Sequence, residues 1–473
     1  APSTSKPVQT KLGAMQHATA LGLLVISAIF AIGAKAQDLG TSTASRNDSR
    51  ERKRYIVRFD VKSGDGYKKS LIDSSPKGSL EVTTSYTHVL NGGFAADLTP
   101  AGLEFLRSQP GVTVEPDGVV RALYPVGSAD VVPTTEARKS AHDALPRAAR
   151  VPSYSADTWE IPWGLDRIDN PQLPLNGLYA ALELPLSAVH AFVIDTGIYR
   201  DHAELKDGVC ADEADHYSVF DDGEHVAVDR VGHGTHCAGT IGGAHVGVAP
   251  GVRLHAVKVL GDDGTGTNEG VAAGMDWVLT RLDEIEQETG VRPPAVASMS
   301  LGGGYSAFIN DAVTDLHNAG VPVVVAAGND ADDACYGSPA SSADAITVGS
   351  SALHASGVDV GSYFTNYGSC VTLYAPGSDI VSAGISDSEE LATMSGTSMA
   401  CPHVAGVVAQ LLAQEPSLTP GEVKEQLLAR AVQGVMKDAE GVVEPNVLLQ
   451  AVAAPSPPSP PPAPPAPPPP PSP

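Results

Sequence analysis

Positive charge is scarce in this sequence. Lysine and arginine total 30 against 55 aspartates and glutamates among 473 residues, a formal charge of -25. Such a surface repels phosphate backbones and anionic lipids, which excludes nucleic acid as a partner. Cysteine is scarce as well: Cys210, Cys237, Cys335, Cys370 and Cys401 lie far apart, with no CxxC pair. That spacing excludes a small disulfide scaffold and carries no zinc signature. In an exported protein it allows one or two bridges, and the odd number leaves at least one thiol. Long apolar runs are lacking except for one, from Thr19 to Ala34. It is short for a membrane span of about 20 residues and ends in Ala34-Lys35-Ala36, a small-x-small pattern. The run predicts a signal peptide cut after Ala36 and a secreted protein, with an uncleaved anchor as the alternative.

The length exceeds one ordinary domain and is enough to bury a large core. Composition divides it into a signal region 1–36, a polar spacer 37–50, a compact α+β module 51–124, a linker 125–158, a long α/β block 159–454 and a proline-rich tail 455–473. In the module, "RYIVRF" alternates as a strand does, and Asn91-Gly92-Gly93 turns between two further strand-like runs. A short helix, a turn and a final strand complete it. The linker is rich in Ala, Ser, Pro and charge. In the long block "HAFVID", "RLHAVKVL", "AVASMSL" and "VPVVVAAG" are almost continuously apolar, as parallel strands buried on both faces are. The expected fold is therefore a doubly wound, mostly parallel sheet. The tail is polyproline II, a stiff spacer whose composition resembles plant and green-algal wall glycoproteins, which raises association with a cell wall.

In a doubly wound sheet, function gathers at the carboxyl ends of strands. Three such ends carry polar groups among glycines: Asp195 in "AFVIDTG", Asn329 in "PVVVAAGND", and the backbone edge Ser300 to Gly303 in "SMSLGGG". "GHGTHCAGTIGG" puts His233 and His236 at the start of a predicted helix, and "GTSMACPHVAG" puts Ser398 at a loop-to-helix junction. Pro402 in that segment suits a helix's first turn. A carboxylate, an imidazole, a hydroxyl and an amide donor are the minimum for nucleophilic acyl transfer. Read singly, each has a plainer alternative: Asp195 and Asn329 as turn residues, the two histidines as zinc ligands, Ser398 as an N-cap. "DTG" also marks aspartic proteases, but such a chain needs two copies and this one has one.

Taken together, "VIDTGI", "GHGTHCAGTIGG", "SLGGGYS", "VAAGND" and "GTSMACPHVAG" resemble subtilisin-like serine proteases of the proteinase K branch, in the family's order and over about Trp163 to Leu449. The order aspartate, histidine, serine is that of subtilisin itself. The resemblance implies a secreted, broadly specific endopeptidase with Asp195, His233 and Ser398 as triad and Asn329 as oxyanion donor; His236 is structural in the family. It implies that Gly264, Thr265 and Gly266 on one side and Ser300, Leu301 and Gly302 on the other pair with an extended substrate, and that Ala326, Ala327 and Gly328 line the primary pocket. It makes the 51–124 module a ferredoxin-like propeptide that inhibits the enzyme until autoprocessing, with a cut between Tyr124 and Asp157. No cofactor is implied for catalysis, and the enzyme is expected to be a monomer acting on proteins and peptides. A structural calcium ion is raised by the family, but Thr372 stands where its ligand aspartate often does. An aromatic lid over the fourth subsite is replaced by Asn268. Bacterial relatives bridge the positions of Cys335 and Cys370, which implies that disulfide. Cys237 matches a free thiol of fungal relatives, Cys401 reads as a small buried filler, and Cys210 has no counterpart. The other reading is a catalytically inactive relative that binds peptides or serves in a wall.

Overall fold

The computed structural model describes residues 52–61, 65–123, 161–179, 183–220, 226–354, 356–437 and 443–451. The signal region, spacer, linker and tail expected from composition lie outside them. The first described elements are β1 (Lys53–Phe59), α1 (Asp65–Ser74), β2 (Leu80–Ser85), β3 (Phe94–Leu98), α2 (Pro100–Arg107), β4 (Val112–Pro116) and β5 (Val119–Ala122). The first four strands form an antiparallel sheet in the order β2-β3-β1-β4, a split-βαβ arrangement. Val57, Phe59, Phe94, Ala96, Leu98 and Leu106 make its core. α2 starts where the sequence says it should: Thr99 accepts the Gly102 N–H and Pro100 takes the first helical position. Two expectations change. α1 is a helix where no element was expected. The single final strand is two, and β5 leaves the module sheet altogether.

The long block contains α3 (Trp163–Asp169), β6 (His190–Asp195), β7 (Tyr217–Ser218), α4 (His233–Gly242), β8 (Arg253–Lys258), β9 (Thr265–Thr267), α5 (Asn268–Thr289), β10 (Ala295–Met299), β11 (Leu301–Gly304), α6 (Ala307–Asn318), β12 (Val323–Ala326), β13 (Gly337–Ser338), β14 (Ala345–His354), β15 (Val358–Gly361), β16 (Leu373–Pro376), β17 (Ile380–Ala383), β18 (Leu391–Met394), α7 (Thr397–Gln414), α8 (Pro420–Arg430), β19 (Val432–Gln433) and β20 (Val447–Leu448). Among the described residues the main sheet runs β19-β20-β16-β14-β12-β10-β6-β8-β7, parallel from β20 to β7. Its strands are apolar on both faces because both faces are covered. Ala191, Val193, Val296 and Val324 pack toward α4 and α7, while their neighbours Phe192, Ile194, Ala297, Val323 and Val325 pack toward α5 and α6. The period of two along each strand sorts them.

α7 is buried from Thr397 to Ala413, a helix apolar all round and therefore central. Pro402 corrects the sequence reading: it lies in the second turn, not the first, and removes the N–H that the Ser398 carbonyl would accept. The helix continues because that carbonyl accepts instead from the Ser300 hydroxyl at 2.9 Å and the Cys237 thiol at 3.4 Å. Cys335 and Cys370 are bridged, as the resemblance implied, with Cα atoms 5.4 Å apart and a sequence separation of 35. Closing a loop of that length contributes roughly 3–4 kcal/mol by chain entropy.

One ion pair ties α3 to the β14–β15 ribbon. Arg167 donates from Nε at 2.8 Å and from Nη2 at 2.9 Å to the two oxygens of Asp359, and both side chains are almost fully buried. Breaking such a pair strands a charge. Asp359→Ala is expected to destabilise the protein by about 3–5 kcal/mol, read as a lowered chemical-denaturation midpoint in a Ser398→Ala background; a change under about 1 kcal/mol would show that the pair is replaceable.

Candidate active site

Asp195 ends β6, the strand from which the sheet grows in both directions, with β8 on one side and β10 on the other. Such a switch point opens a crevice at the carboxyl edge. A carboxylate buried there needs donors. Asp195 Oδ1 accepts from His233 Nδ1 at 2.8 Å and from the Thr196 N–H at 2.7 Å, and neither side chain is exposed by more than 1%. His233 is the first residue of α4, whose N-cap is Gly232 in the left-handed region at φ 97 and supplies no side chain. Asp229 serves instead. Its carboxylate accepts from the backbone N–H groups of Val231, Gly232 and Thr235 at 2.9 Å each, from the Thr235 hydroxyl at 2.7 Å and from the Thr196 hydroxyl at 2.9 Å. The Thr196 hydroxyl oxygen in turn accepts the Gly234 N–H at 2.9 Å. The end of β6 and the start of α4 are thereby locked together.

Ser398 is the second residue of α7, after an N-cap at Gly396 that has no side chain to offer. It is therefore not the cap, and its backbone N–H belongs to the first turn, where helical acceptors are lacking. Its hydroxyl lies 3.0 Å from the Leu123 carbonyl oxygen and 3.1 Å from that of Ser300. Asn329, three residues past β12, is oriented by Thr397: Oδ1 accepts the Thr397 N–H and hydroxyl, each at 2.9 Å. Nδ2 then donates to the same Leu123 carbonyl at 2.8 Å. Hydroxyl and amide converge on one carbonyl oxygen.

That carbonyl is delivered by β5, which runs antiparallel between β11 and β9 with Ala122 opposite Leu301, Arg121 opposite Gly302 and Thr265, and Val120 opposite Gly303 and Gly266. The Ala122 N–H donates to the Gly264 carbonyl at 3.0 Å. Five of the six residues expected to pair with an extended chain, Gly264, Thr265, Gly266, Leu301 and Gly302, lie against β5, whereas the Ser300 carbonyl meets the Ser398 hydroxyl instead. Strand approach is close enough that a Cβ at Gly303 would meet the Val119 carbonyl oxygen at 2.5 Å. Ala326 ends β12, and the Leu123 methyls would touch a Cβ at Gly302 at 3.4 Å. Gly328 has φ 109, and a Cβ there would fall 2.2 Å from Asn366 Nδ2.

The remaining sequence candidates settle into structural places. His236 shares Nε2 between the Ile380 and Ala392 carbonyls at 3.0 and 3.1 Å, tying α4 to the β17–β18 ribbon rather than holding zinc. Burial lowers its pKa to about 3. Burial likewise raises the Cys237 thiol well above its usual value and Cys401 to about 11, so neither is a thiolate. The Thr372 hydroxyl accepts the Thr347 N–H at 3.1 Å and offers no carboxylate for calcium. Three participants escaped sequence reasoning. Asp229 stands three residues before Gly232, an acid-before-helix spacing that was there to be read. Thr397 adjoins Ser398 in the motif. Only the fold shows that Leu123 meets them.

A parallel sheet with helices on both faces and polar groups collected at its carboxyl edge defines a subtilisin-like α/β protein. This chain belongs to the subtilase family, whose model matches residues 189–447. It is 47% identical over 287 residues to the "Extracellular serine proteinase" of Thermus sp. (strain Rt41A), covering 61% of this chain and 65% of that protein. It is 35% identical over 389 residues to the "Cuticle-degrading protease" of Metarhizium anisopliae, covering 81% of this chain and 86% of that one. Against the crystal structure of a cold adapted subtilisin-like serine proteinase the identity is 42% and the TM-score 0.54, over 62% of this chain and 98% of the other. The chain spans 65% and 61% of the length of the Thermus protein and of the "Alkaline serine exoprotease A" of Vibrio alginolyticus. Among the described residues no helix is long and apolar enough to cross a membrane.

Two buried histidines couple this region to pH. Burial depresses His236 to about 3 and His403 to about 4, and the latter's Nδ1 lies 2.7 Å from the Met399 carbonyl. Unfolded histidine takes up its proton near 6.5, so between about 6.5 and 4 the unfolded chain binds protons that the fold refuses. Stability therefore falls as pH falls through that window, by up to about 1.4 kcal/mol per pH unit per histidine. Melting of the Ser398→Ala protein at pH 7, 5.5 and 4 is expected to show this drop, and His403→Gln to lessen it by one histidine's share, since burial also lowers His236, His190, His216 and His255. A pH-independent midpoint would contradict the assignment.

Proposed function

We propose that this chain is a secreted serine endopeptidase, made as a zymogen that cuts itself after Leu123. The observation that carries the reading is the Leu123 carbonyl oxygen, 3.0 Å from the Ser398 hydroxyl and 2.8 Å from Asn329 Nδ2 at the end of a strand paired on both edges. In the reaction the Ser398 oxygen attacks a peptide carbonyl carbon while His233 Nε2 takes its proton. Asp195, bonded to Nδ1, holds the tautomer and stabilises the imidazolium. The carbonyl oxygen becomes an anion received by Asn329 Nδ2 and the Ser398 backbone N–H, at the positive end of α7. His233 then protonates the leaving amine, and water releases the acyl group by the same steps. The role of Asn329 depends on Thr397, which turns the amide so that its donor faces the substrate.

Recognition is mostly main-chain, since β5 pairs through backbone groups with glycine-rich strands, and this supports broad specificity. The module 52–123 is then the inhibitory propeptide, its last strand lying where substrate lies. The alternative, an inactive peptide-binding relative, has no missing chemical group to favour it. Labelling with a fluorophosphonate decides between them, because an inert protein stays unlabelled and an active one loses its label on Ser398→Ala.

Ser398→Ala and His233→Ala are each expected to lower turnover at least about 10³-fold, and Asn329→Ala by about 10²–10³ in kcat with little change in KM, magnitudes carried over from subtilisin itself. An Asn329→Ala effect mainly on KM would remove its oxyanion role. Maturation is expected to expose a new N-terminus at Tyr124, with Ser398→Ala remaining uncut. N-terminal sequencing of the first processed product checks this, and a first cut elsewhere in the linker would refute the register. The separately expressed module is expected to inhibit the mature enzyme at micromolar concentration; absence of inhibition would make it an accessory domain.

A further inference from the structure

We propose that Asp263 gives the cleft a preference for substrates with a basic residue at the third position before the cut. The inference rests on the peptidase reading above and deepens it from a broad to a position-specific substrate class. β5 supplies the template: with Leu123 at the cut, Ala122, Arg121 and Val120 occupy the second, third and fourth positions. Ala122 and Val120 face inward and are buried, while Arg121 faces outward and is exposed. A strand's alternation makes the third position the one whose side chain meets solvent and the cleft rim.

At that rim Arg121 stands directly opposite Thr265 in the antiparallel pair, so the two side chains share a face. The Thr265 hydroxyl donates to Asp263 Oδ1 at 2.7 Å and its N–H donates to the same oxygen at 2.9 Å. The carboxylate is thus fixed beside the residue that faces the third position. On the other flank stands Gly302, which has no side chain, so discrimination falls to the 263–265 turn. The neighbouring Asp262 is already engaged, by Lys258 Nζ at 3.2 Å and Arg230 Nη1 at 3.4 Å. Asp263 forms no ion pair within 4 Å among the described residues, Arg121 included, so its charge acts on the third position through space rather than by direct contact. Its pKa is lowered first by the Thr265 hydroxyl and, more weakly, by the charge of Arg121 on the adjacent strand.

The interaction is exposed and therefore modest, and it discriminates by sign: a cation is attracted and an anion repelled. Mature enzyme from the autoprocessed full chain is given quenched peptides containing Val-Val-X-Ala-Leu before the cut, with X as arginine, norleucine or glutamate. Arginine is expected to exceed norleucine in kcat/KM by about two- to fivefold, and glutamate to fall below norleucine by a similar factor. At 1 M salt, where screening acts within about 3 Å, the spread should collapse. Asp263→Asn keeps an acceptor oxygen for Thr265 and removes the charge; it should abolish the preference while leaving the norleucine peptide's rate unchanged. Arginine moved to the fifth position should gain nothing. A preference that survives Asp263→Asn, or that arises equally at the fifth position, would assign it to the protein's overall negative field and overturn the proposal. Equal turnover of the three peptides overturns it alone, whereas no turnover of any peptide overturns the peptidase reading as well.

Discussion

The hydrogen bond from His233 Nδ1 to Asp195 Oδ1 is the interaction on which the rest of this structure depends. A carboxylate with 1% exposure is tolerable only where donors are held in place, and an imidazole with none only where its ring has a fixed partner. Everything nearby serves that requirement. β6 carries Asp195 to the switch point of the sheet, and Asp229 with Thr196 secures the start of α4 that carries His233. A helix capped only by glycine would otherwise fray at the residue whose position matters most.

A second constraint acts through carbonyls. Pro402 frees the Ser398 carbonyl, and the Ser300 hydroxyl and Cys237 thiol take it up, linking α7, β10's end and α4 at one point. Thr397 fixes Asn329 in the same neighbourhood through two bonds to one oxygen. Hydroxyl and amide donor are therefore positioned by buried backbone and hydroxyl groups rather than by surface contacts. Buried networks that are fully satisfied specify a single arrangement, and pre-set donors are what stabilising a developing anion requires.

The module is held to the block by carboxylates of α5 and α6. Asp276 accepts the N–H groups of Thr87, His88 and Val89, Asp315 accepts that of Leu90, and Glu269 meets Thr83, Thr84 and Arg54. Apolar contact accompanies them, with Ile56, Tyr86, Val89 and Leu90 joining the core that covers α5 and α6. Polar and apolar contacts together fix how far β5 reaches, and so which carbonyl arrives at Ser398. Within the proposed function, that reach is what sets the processing site.

Local signals were enough for much of this. Continuous apolar runs marked β6, β8, β10 and β12 as doubly covered parallel strands, because a residue buried on either face must be apolar whichever way it points. Glycine-rich strand ends marked Asp195 and Asn329, and a glycine-flanked loop-to-helix junction marked Ser398, since close backbone approach leaves room for little else. What the sequence did not disclose depends on contacts between distant segments. β5 reads like any short strand after a helix, and nothing within it says that it pairs with β9 and β11 instead of its own sheet. Asp229, Thr397 and Asp263 are ordinary polar residues until the fold sets them beside Gly232, Asn329 and Arg121. Residue types and their order thus determined the class of fold and the candidate chemical groups, because burial and turn geometry act locally. Which carbonyl meets those groups was decided only by tertiary structure, because strand register is a property of two chain segments and is written in neither alone.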